Sequence, residues 1–424
     1  MEEYHFSLIR NIDAILIIIT AFLSITIIIY AVINEWFVGI RYRRLSQIVS
    51  DLQKIAFKGN EAIVNEYAAL IKHTTSLGLF RILSHKRNNP PGRFLKQFTE
   101  CINNSAKITE IERIARKSIS KWRRIEGIIM LGYLNSPNAL GILNQALYNR
   151  DNDIAYFSLV SLGHIKNKES AKILLANINN KKFSSYKIAS ILEHFLPDIA
   201  EILIKSLEDQ GENLRLWSIR LLSRFKPREC AKKVSDFITD SSADIRAAAC
   251  ECLGEIGAEG FEKPIQKCLN DNIWYVRLKA VIALEKTLGA KSITDIAPLL
   301  KDRHWFLREK VKEIMIKHFS ESLVFIEKFL LEEKQDVKQS CVEIMDGSGY
   351  RDKILNDLVS GDIDTQDKAQ LWLKAMIKAG AHFGLEGILS KYSPDMRQKI
   401  LNAIAAVDKD KAEDIGKRLK GDGQ

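Results

Sequence analysis

Eight histidines, six cysteines and two pairs of adjacent aromatic residues are the side chains in this 424-residue sequence with the most chemistry to offer. The histidines are spread along the chain. His304 and His318 are far apart and neither has a second ligand at i+4, so the helical metal-ligand spacing is missing and surface or packed histidines are expected. Cys101, Cys230, Cys250, Cys252, Cys268 and Cys341 sit mostly within apolar helical patterns. Cys250 and Cys252 would point about 200° apart on a helix, and buried free thiols of a reducing compartment are expected. No P-loop, Gly-x-Gly-x-x-Gly, His-Glu-x-x-His or Gly-x-Ser-x-Gly pattern is present. Asp346-Gly347-Ser348-Gly349 lacks the lysine and strand of a phosphate loop and reads as a turn. Glu332-Glu333 reads as capping or solvated. No catalytic residue, metal or cofactor is expected, and the chain reads as a binding protein, not an enzyme.

The aromatic pairs carry more information. Trp274-Tyr275 and Trp305-Phe306 hold equivalent places, each between an Asp and a branched residue followed by Arg. Tryptophan and tyrosine dominate interface hot spots, so two stacked pairs would form a partner-binding ridge. The competing reading is that they cover a junction between structural repeats as local packing.

Around them the chain repeats. Asp240 to Arg246, Asp271 to Arg277 and Asp302 to Arg308 share one pattern, Asp209 to Arg215 and Asp362 to Lys368 share its spacing, and Glu332 to Lys338 is a conservative version. The apolar pattern extends the series to marks at Arg124, Ala155, Tyr186, Arg215, Arg246, Arg277, Arg308, Lys338, Lys368 and Arg397. The steps between marks are even, at about 30 residues each, a period typical of repeat architectures. In one copy, residues 247–256 form a run of small and aliphatic residues ended by Gly257, followed by a second apolar stretch from Phe261 to Leu269. One repeat is thus two antiparallel helices. A single pair cannot bury both apolar faces, so each stacks on the next.

These residues resemble the HEAT repeat family, in its short bacterial form related to the phycobilisome-lyase repeats. The resemblance covers residues 105–420. It implies an all-α solenoid of about ten helical hairpins, and a ladder of Asp and Arg side chains bonding between adjacent repeats. That role falls on Asp209, Asp240, Asp271 and Asp302, and on Arg215, Arg246, Arg277 and Arg308. Ala155 and Tyr186 depart from the pattern, because the ladder cation is missing there.

Before the array, the stretch from Ala14 to Ile33 contains no charged residue. At 1.5 Å per residue it spans about 30 Å, the thickness of a bilayer's hydrocarbon core. A cleaved signal peptide would have a basic start, but Glu2 and Glu3 stand there, and no small-residue cleavage site follows. Residues 1–40 carry a net charge of −3, residues 41–124 carry +12, and residues 125–424 carry +1. The positive-inside rule then places residues 41 onward in the cytoplasm and the N-terminus outside. Arg41, Arg43, Arg44, Lys54 and Lys58 are near enough to the span to touch anionic lipid, or else serve as a topology signal.

The expected organisation is a short extracytoplasmic segment (1–11), a transmembrane helix (12–36), a basic juxtamembrane helical region (37–92) and the repeat array with its C-terminal cap (93–424). Within 37–92, helices are expected over residues 45–56 and 61–83, and Asn88-Asn89-Pro90-Pro91-Gly92 marks the boundary with the array. The function expected is a membrane-tethered cytoplasmic scaffold for a protein partner. A narrower expectation is an accessory subunit of a bacterial membrane enzyme such as a polysaccharide glycosyltransferase, the bacterial source being suggested by Ile-, Lys- and Asn-rich usage. The alternatives are a bilin-lyase-like enzyme, which the repeat type permits, and a HEAT-type nucleic-acid-binding protein. The near-neutral stretch 125–424 argues against nucleic acid.

Overall fold

The computed structural model describes residues 92–421, apart from 210, 258, 333, 360–361 and 379–383, together with a few residues between 69 and 80. The span Ala14–Ile33, the five basic residues Arg41, Arg43, Arg44, Lys54 and Lys58, and the break at Asn88–Pro91 all lie outside the described residues. Among the described residues, no helix is long and apolar enough to cross a membrane. Within the helix expected over 61–83, Thr74 and Thr75 are not helical, although residues 71–72 and 78–80 are. Thr75 Oγ1 accepts the Gly78 N–H at 3.2 Å, so its hydroxyl competes for the backbone in the manner of an N-cap.

The described residues form an all-helical fold in two compact units, one reaching Phe195 and the other starting at Leu196. In the first unit the helices are α1 (Gly92–Asn103), α2 (Lys107–Lys117), α3 (Lys121–Leu134), α4 (Ala139–Leu147), α5 (Asn152–Ile165), α6 (Lys168–Ala176) and α7 (Ser185–Leu192). Helices α3, α5 and α7 pack in succession, with α2, α4 and α6 behind them. Asp151 caps α5 by accepting the N–H groups of Asp153 and Ile154, and Asn167 and Ser170 form a capping box on α6.

The second unit continues with α8 (Ala200–Ser206), α9 (Glu212–Phe225), α10 (Ala231–Asp236), α11 (Ala243–Ile256), α12 (Glu262–Lys267), α13 (Trp274–Leu288), α14 (Ile293–Ile296) and α15 (Trp305–Lys317). It ends with α16 (Phe319–Glu332), α17 (Gln335–Gly347), α18 (Tyr350–Asp357), α19 (Ile363–Lys378), α20 (Leu385–Leu389), α21 (Pro394–Val407) and α22 (Lys409–Gly421). Helices α9, α11, α13, α15 and α17 lie side by side in chain order. Close approach is built into the sequence: a Cβ added to Gly254 on α11 would stand 2.6 Å from Ala283 Cα on α13. Gly257 then ends α11 in the left-handed conformation, φ +63°. The alanine-rich face buries Ala247, Ala248, Ala249, Ala280 and Ala283 between these helices.

The ten repeat marks fall on ten different helices, eight of them at the fourth residue. Two are displaced. Ser184 is the N-cap of α7 and accepts the Lys187 N–H, so the fourth position belongs to Ile188, not to Tyr186. Asp362 accepts the Thr365 N–H and so sits at the mouth of α19 itself. The turn acids of the regular copies stand two residues earlier, so Lys368 is out of register. Helix α19 also packs on α16 and α18, departing from the side-by-side order before it.

Candidate functional site

The geometry of the second unit is set by its turn acids. Asp209, Asp240, Asp271 and Asp302 each accept, through Oδ1, the N–H two residues ahead, at 2.7, 2.8, 2.9 and 2.8 Å. That local bond fixes the turn before the helix begins. The arginine four residues into the helix reaches back, and its Nη1 donates to the carbonyl of its own turn acid: Arg215 to Asp209 at 3.0 Å, Arg246 to Asp240 at 2.9 Å, Arg277 to Asp271 at 2.7 Å and Arg308 to Asp302 at 2.8 Å.

The carboxylate partner belongs to the next repeat. Arg246 donates through Nε and Nη2 to Asp271 at 2.7 and 2.9 Å, and Arg277 to Asp302 at 2.7 Å for both bonds. Arg215 stands 3.6 Å from Asp240. Arg246 and Arg277 therefore each tie one turn to the next by a planar two-pronged bond, a geometry lysine cannot supply, while Arg215 makes a longer contact. The pair Arg277–Asp302 is the most enclosed, with side chains 6% and 8% exposed. Burial pushes the Asp302 carboxyl up, but the Arg277 bonds, the His304 N–H and the charges of Arg277 and Arg303 outweigh it and hold the carboxyl below its ordinary value.

The aromatic pairs stand on these rungs, at the first two residues of α13 and α15. Their environments differ. Trp274 is half-buried, stacked flat on the His304 ring at 3.9 Å and 2°, with the Phe306 ring edge-on at 6.1 Å. Tyr275 is half-buried and edge-on to Trp274 at 5.8 Å. Burial and the nearby charge of Asp244 raise its phenol above the ordinary range. Trp305 and Phe306 face solvent, 61% and 46% exposed, with rings perpendicular at 5.4 Å. The structure thus brings all four together but covers only the first pair. His304, which carries the stack, has no special pattern in the sequence beyond its place just before Trp305. Its Nδ1 is buried without a hydrogen-bond partner among the described residues.

A second set of ion pairs runs between the other ends of the same helices, and sequence reasoning missed it. Glu255 on α11 takes Lys226 at 2.7 Å and Lys286 of α13, and Glu285 on α13 takes Lys317 of α15 at 2.6 Å. The two lysines hold the Glu255 carboxyl down at about 2. The signal lies in the spacing, since Glu255 and Lys286 are separated by one repeat.

Five of the six thiols are buried, and Cys101 is half-buried. Cys250 and Cys252 diverge from α11, one meeting Cys268 and the other Cys230, and all four are buried. The neighbouring thiol and burial raise Cys250 and Cys252 far above the ordinary value, so neither is a nucleophile at neutral pH. Among the described residues, no three His, Cys, Asp or Glu side chains gather as metal ligands. The groove of about 470 Å³ bordered by Leu331 and Leu371 holds Glu327, Lys368 and Lys374.

Residues 200–285 and 237–315 match the family model of HEAT repeats. The matched stretch, residues 200–315, contains every rung described above. No curated protein sequence matches the chain. Among solved structures, the chain is similar to the karyopherin Kap121p at 13% identity, over 91% of this chain and 52% of that one, with a TM-score of 0.40. The structure of Kap121p bound to Nup53p gives 12%, 87%, 50% and 0.40. An engineered protein gives 14% identity over 78% of this chain and 99% of that one, with a TM-score of 0.33. The chain spans about half the length of Kap121p.

Proposed function

We propose that this protein is a non-catalytic scaffold, tethered to the bacterial cytoplasmic membrane by residues 14–33, whose HEAT repeats hold a protein partner on the cytoplasmic side. The observation that carries the reading is the exposed pair Trp305–Phe306, 61% and 46% open to solvent on a rung tied by the buried Arg277–Asp302 bond. A rigid ring on a rigid turn loses little freedom when a partner covers it. The tether rests on the uncharged run Ala14–Ile33 and the basic flank Arg41, Arg43 and Arg44, with Lys54 and Lys58 beyond. Tethering raises the local concentration of whatever the array holds. The finer reading makes the partner an integral membrane enzyme, such as a polysaccharide glycosyltransferase; it rests on the tether alone.

Affinity purification from membranes of the unsubstituted protein and of Trp305→Ala/Phe306→Ala tests the binding face. A partner recovered with the first and lost with the second is expected. Equal recovery would place binding elsewhere. Protease added to right-side-out spheroplasts should leave the array uncut, and digestion there would reverse the orientation.

A further inference from the structure

The first compact unit carries a surface of its own, made by three successive turns. Where α2 meets α3, Arg116 and Lys117 end the first helix and Trp122 and Arg123 begin the second, all exposed, on either side of Ile119 in the turn. The turn between α4 and α5 presents Tyr148 and Arg150, and the turn between α6 and α7 presents Lys181 and Lys182, with Tyr186 at the start of α7 beside them. These turns adjoin one another. Lys121 reaches across to Asp151 at 2.9 Å and Asp153 at 2.6 Å, and Lys182 Nζ donates to the Asn149 carbonyl. They therefore form one continuous edge. Residues 116–123, 148–153 and 179–187 hold eight basic side chains and two acidic ones, and those two are the carboxylates that Lys121 engages.

The same edge collects the unit's exposed apolar surface. Ile119 is 105% exposed, Tyr186 71%, Trp122 66% and Tyr148 65%. Tyr156, 40% exposed, lies beneath the Lys187 ammonium at 5.5 Å. Among the described residues of this unit, no other large apolar side chain is exposed. An isoleucine wholly in water at the tip of a turn is a standing cost unless something apolar receives it.

We propose that this edge docks on an anionic bilayer surface, with Ile119 and Trp122 entering the headgroup boundary and the lysines and arginines facing the lipid phosphates and carboxylates. Tryptophan and tyrosine settle at the depth where one end is apolar and the other wet. Each basic residue held near an anionic leaflet strengthens partitioning about fivefold, within a Debye length of about 8 Å. A nucleic-acid strand would use the same cations and could stack on Trp122, but it has nothing to offer a fully exposed isoleucine. The edge lies outside the residues assigned above to tether and partner. It draws on the tether only for the nearness of a membrane.

The full-length protein decides the matter. Ile119→Cys carries an environment-sensitive nitrobenzoxadiazole probe, with the unsubstituted protein labelled in parallel as blank. It is mixed with vesicles of phosphatidylcholine alone or with added phosphatidylserine. A blue shift and quenching by acyl-chain nitroxide lipid are expected with phosphatidylserine only, fading as salt rises. Arg116→Glu/Lys117→Glu/Arg123→Glu should abolish both signals without moving the unfolding midpoint, since all three side chains are exposed. A probe that stays in water with both vesicles overturns the proposal, as does a shift produced by RNA in the absence of acidic lipid. Alkaline extraction reads the tether separately. Resistance to extraction with a water-exposed probe refutes the edge alone, and extraction with an inserted probe refutes the tether alone.

Discussion

Equivalent turns in the two units are held by different chemistry. In the second unit, Arg246 and Arg277 grip the carboxylate of the following turn through two parallel bonds. In the first unit the fourth helical residue of α3 is also an arginine, but Arg124 donates through Nε to the Ala115 carbonyl at 3.0 Å. The carboxylates of the next turn go to Lys121, whose side chain is 39% exposed. On α5 the fourth residue is Ala155, which has nothing to donate. A two-pronged bond needs a planar donor and an acid one repeat ahead, both withdrawn from water. Where either is missing, stacking falls back on apolar packing and solvated pairs. The match to the HEAT repeat model, residues 200–315, contains the rungs from Asp209 to Arg308.

The sharpest way to break this contrast is Arg277→Ala. Removing one member of an enclosed pair strands Asp302 against the turn, at a cost of about 3–5 kcal/mol. Urea unfolding should show a lower midpoint or a split transition, and an unchanged curve would mean that the rung contributes nothing. Arg215→Ala should cost less, about 1–2 kcal/mol. Its carboxylate partner stands 3.6 Å away, and the side chain is 18% exposed. The Lys121→Ala counterpart in the first unit should cost about 0.5 kcal/mol or less, because water and salt screen an exposed pair. If Lys121→Ala matched Arg277→Ala, the two units would be held alike.

Acid sharpens the comparison further. Asp271, Asp302 and Glu255 are all held below their ordinary values in the folded chain. Their contribution is therefore complete above the unfolded value, about pH 4, and is lost as pH falls through the folded value, about 2 for Glu255. Stability of the second unit should decline across that window, and Glu255→Gln should flatten the profile. The smallest expected change in stability is that of Trp305→Ala, within about 0.5 kcal/mol, since its ring faces water. Trp274→Ala should destabilise visibly, because its ring is stacked on His304.

The periodicity of the array is legible in the sequence because a turn acid and a helix arginine must recur at fixed places for rungs to meet. The partner is not legible. Asp271 lies close before Arg277 in the chain, yet it offers that arginine only its carbonyl, and the carboxylate comes from Asp302 in the following repeat. Apolar pattern puts Tyr186 in the series and the Asp362–Lys368 spacing puts Lys368 there, whereas the N-caps Ser184 and Asp362 start those helices two residues away from where the series places them. The lysine–glutamate pairs around Glu255 and the exposed aromatic residues of the first unit escape notice for a related reason. Charged and aromatic residues near turns are common, and only neighbours from adjacent repeats distinguish a covered ring from an open one.

The sequence by itself determined the helical repeat, its length, and the uncharged run at Ala14–Ile33, because these depend on periodicity and on runs of one residue type. Tertiary structure decided which aromatic residues are surface. Trp274 and Trp305 occupy the same position in adjacent repeats, each three residues after the turn acid and three before the rung arginine. His304, at the N-cap of the following helix, lies flat on the first ring, while the corresponding N-cap after Trp305 is Lys334. A flat imidazole stacks on an indole, and Trp305 remains 61% exposed. Whether a ring is packing or a binding surface is a property of its neighbour one repeat ahead, distant in the chain and in contact only after folding.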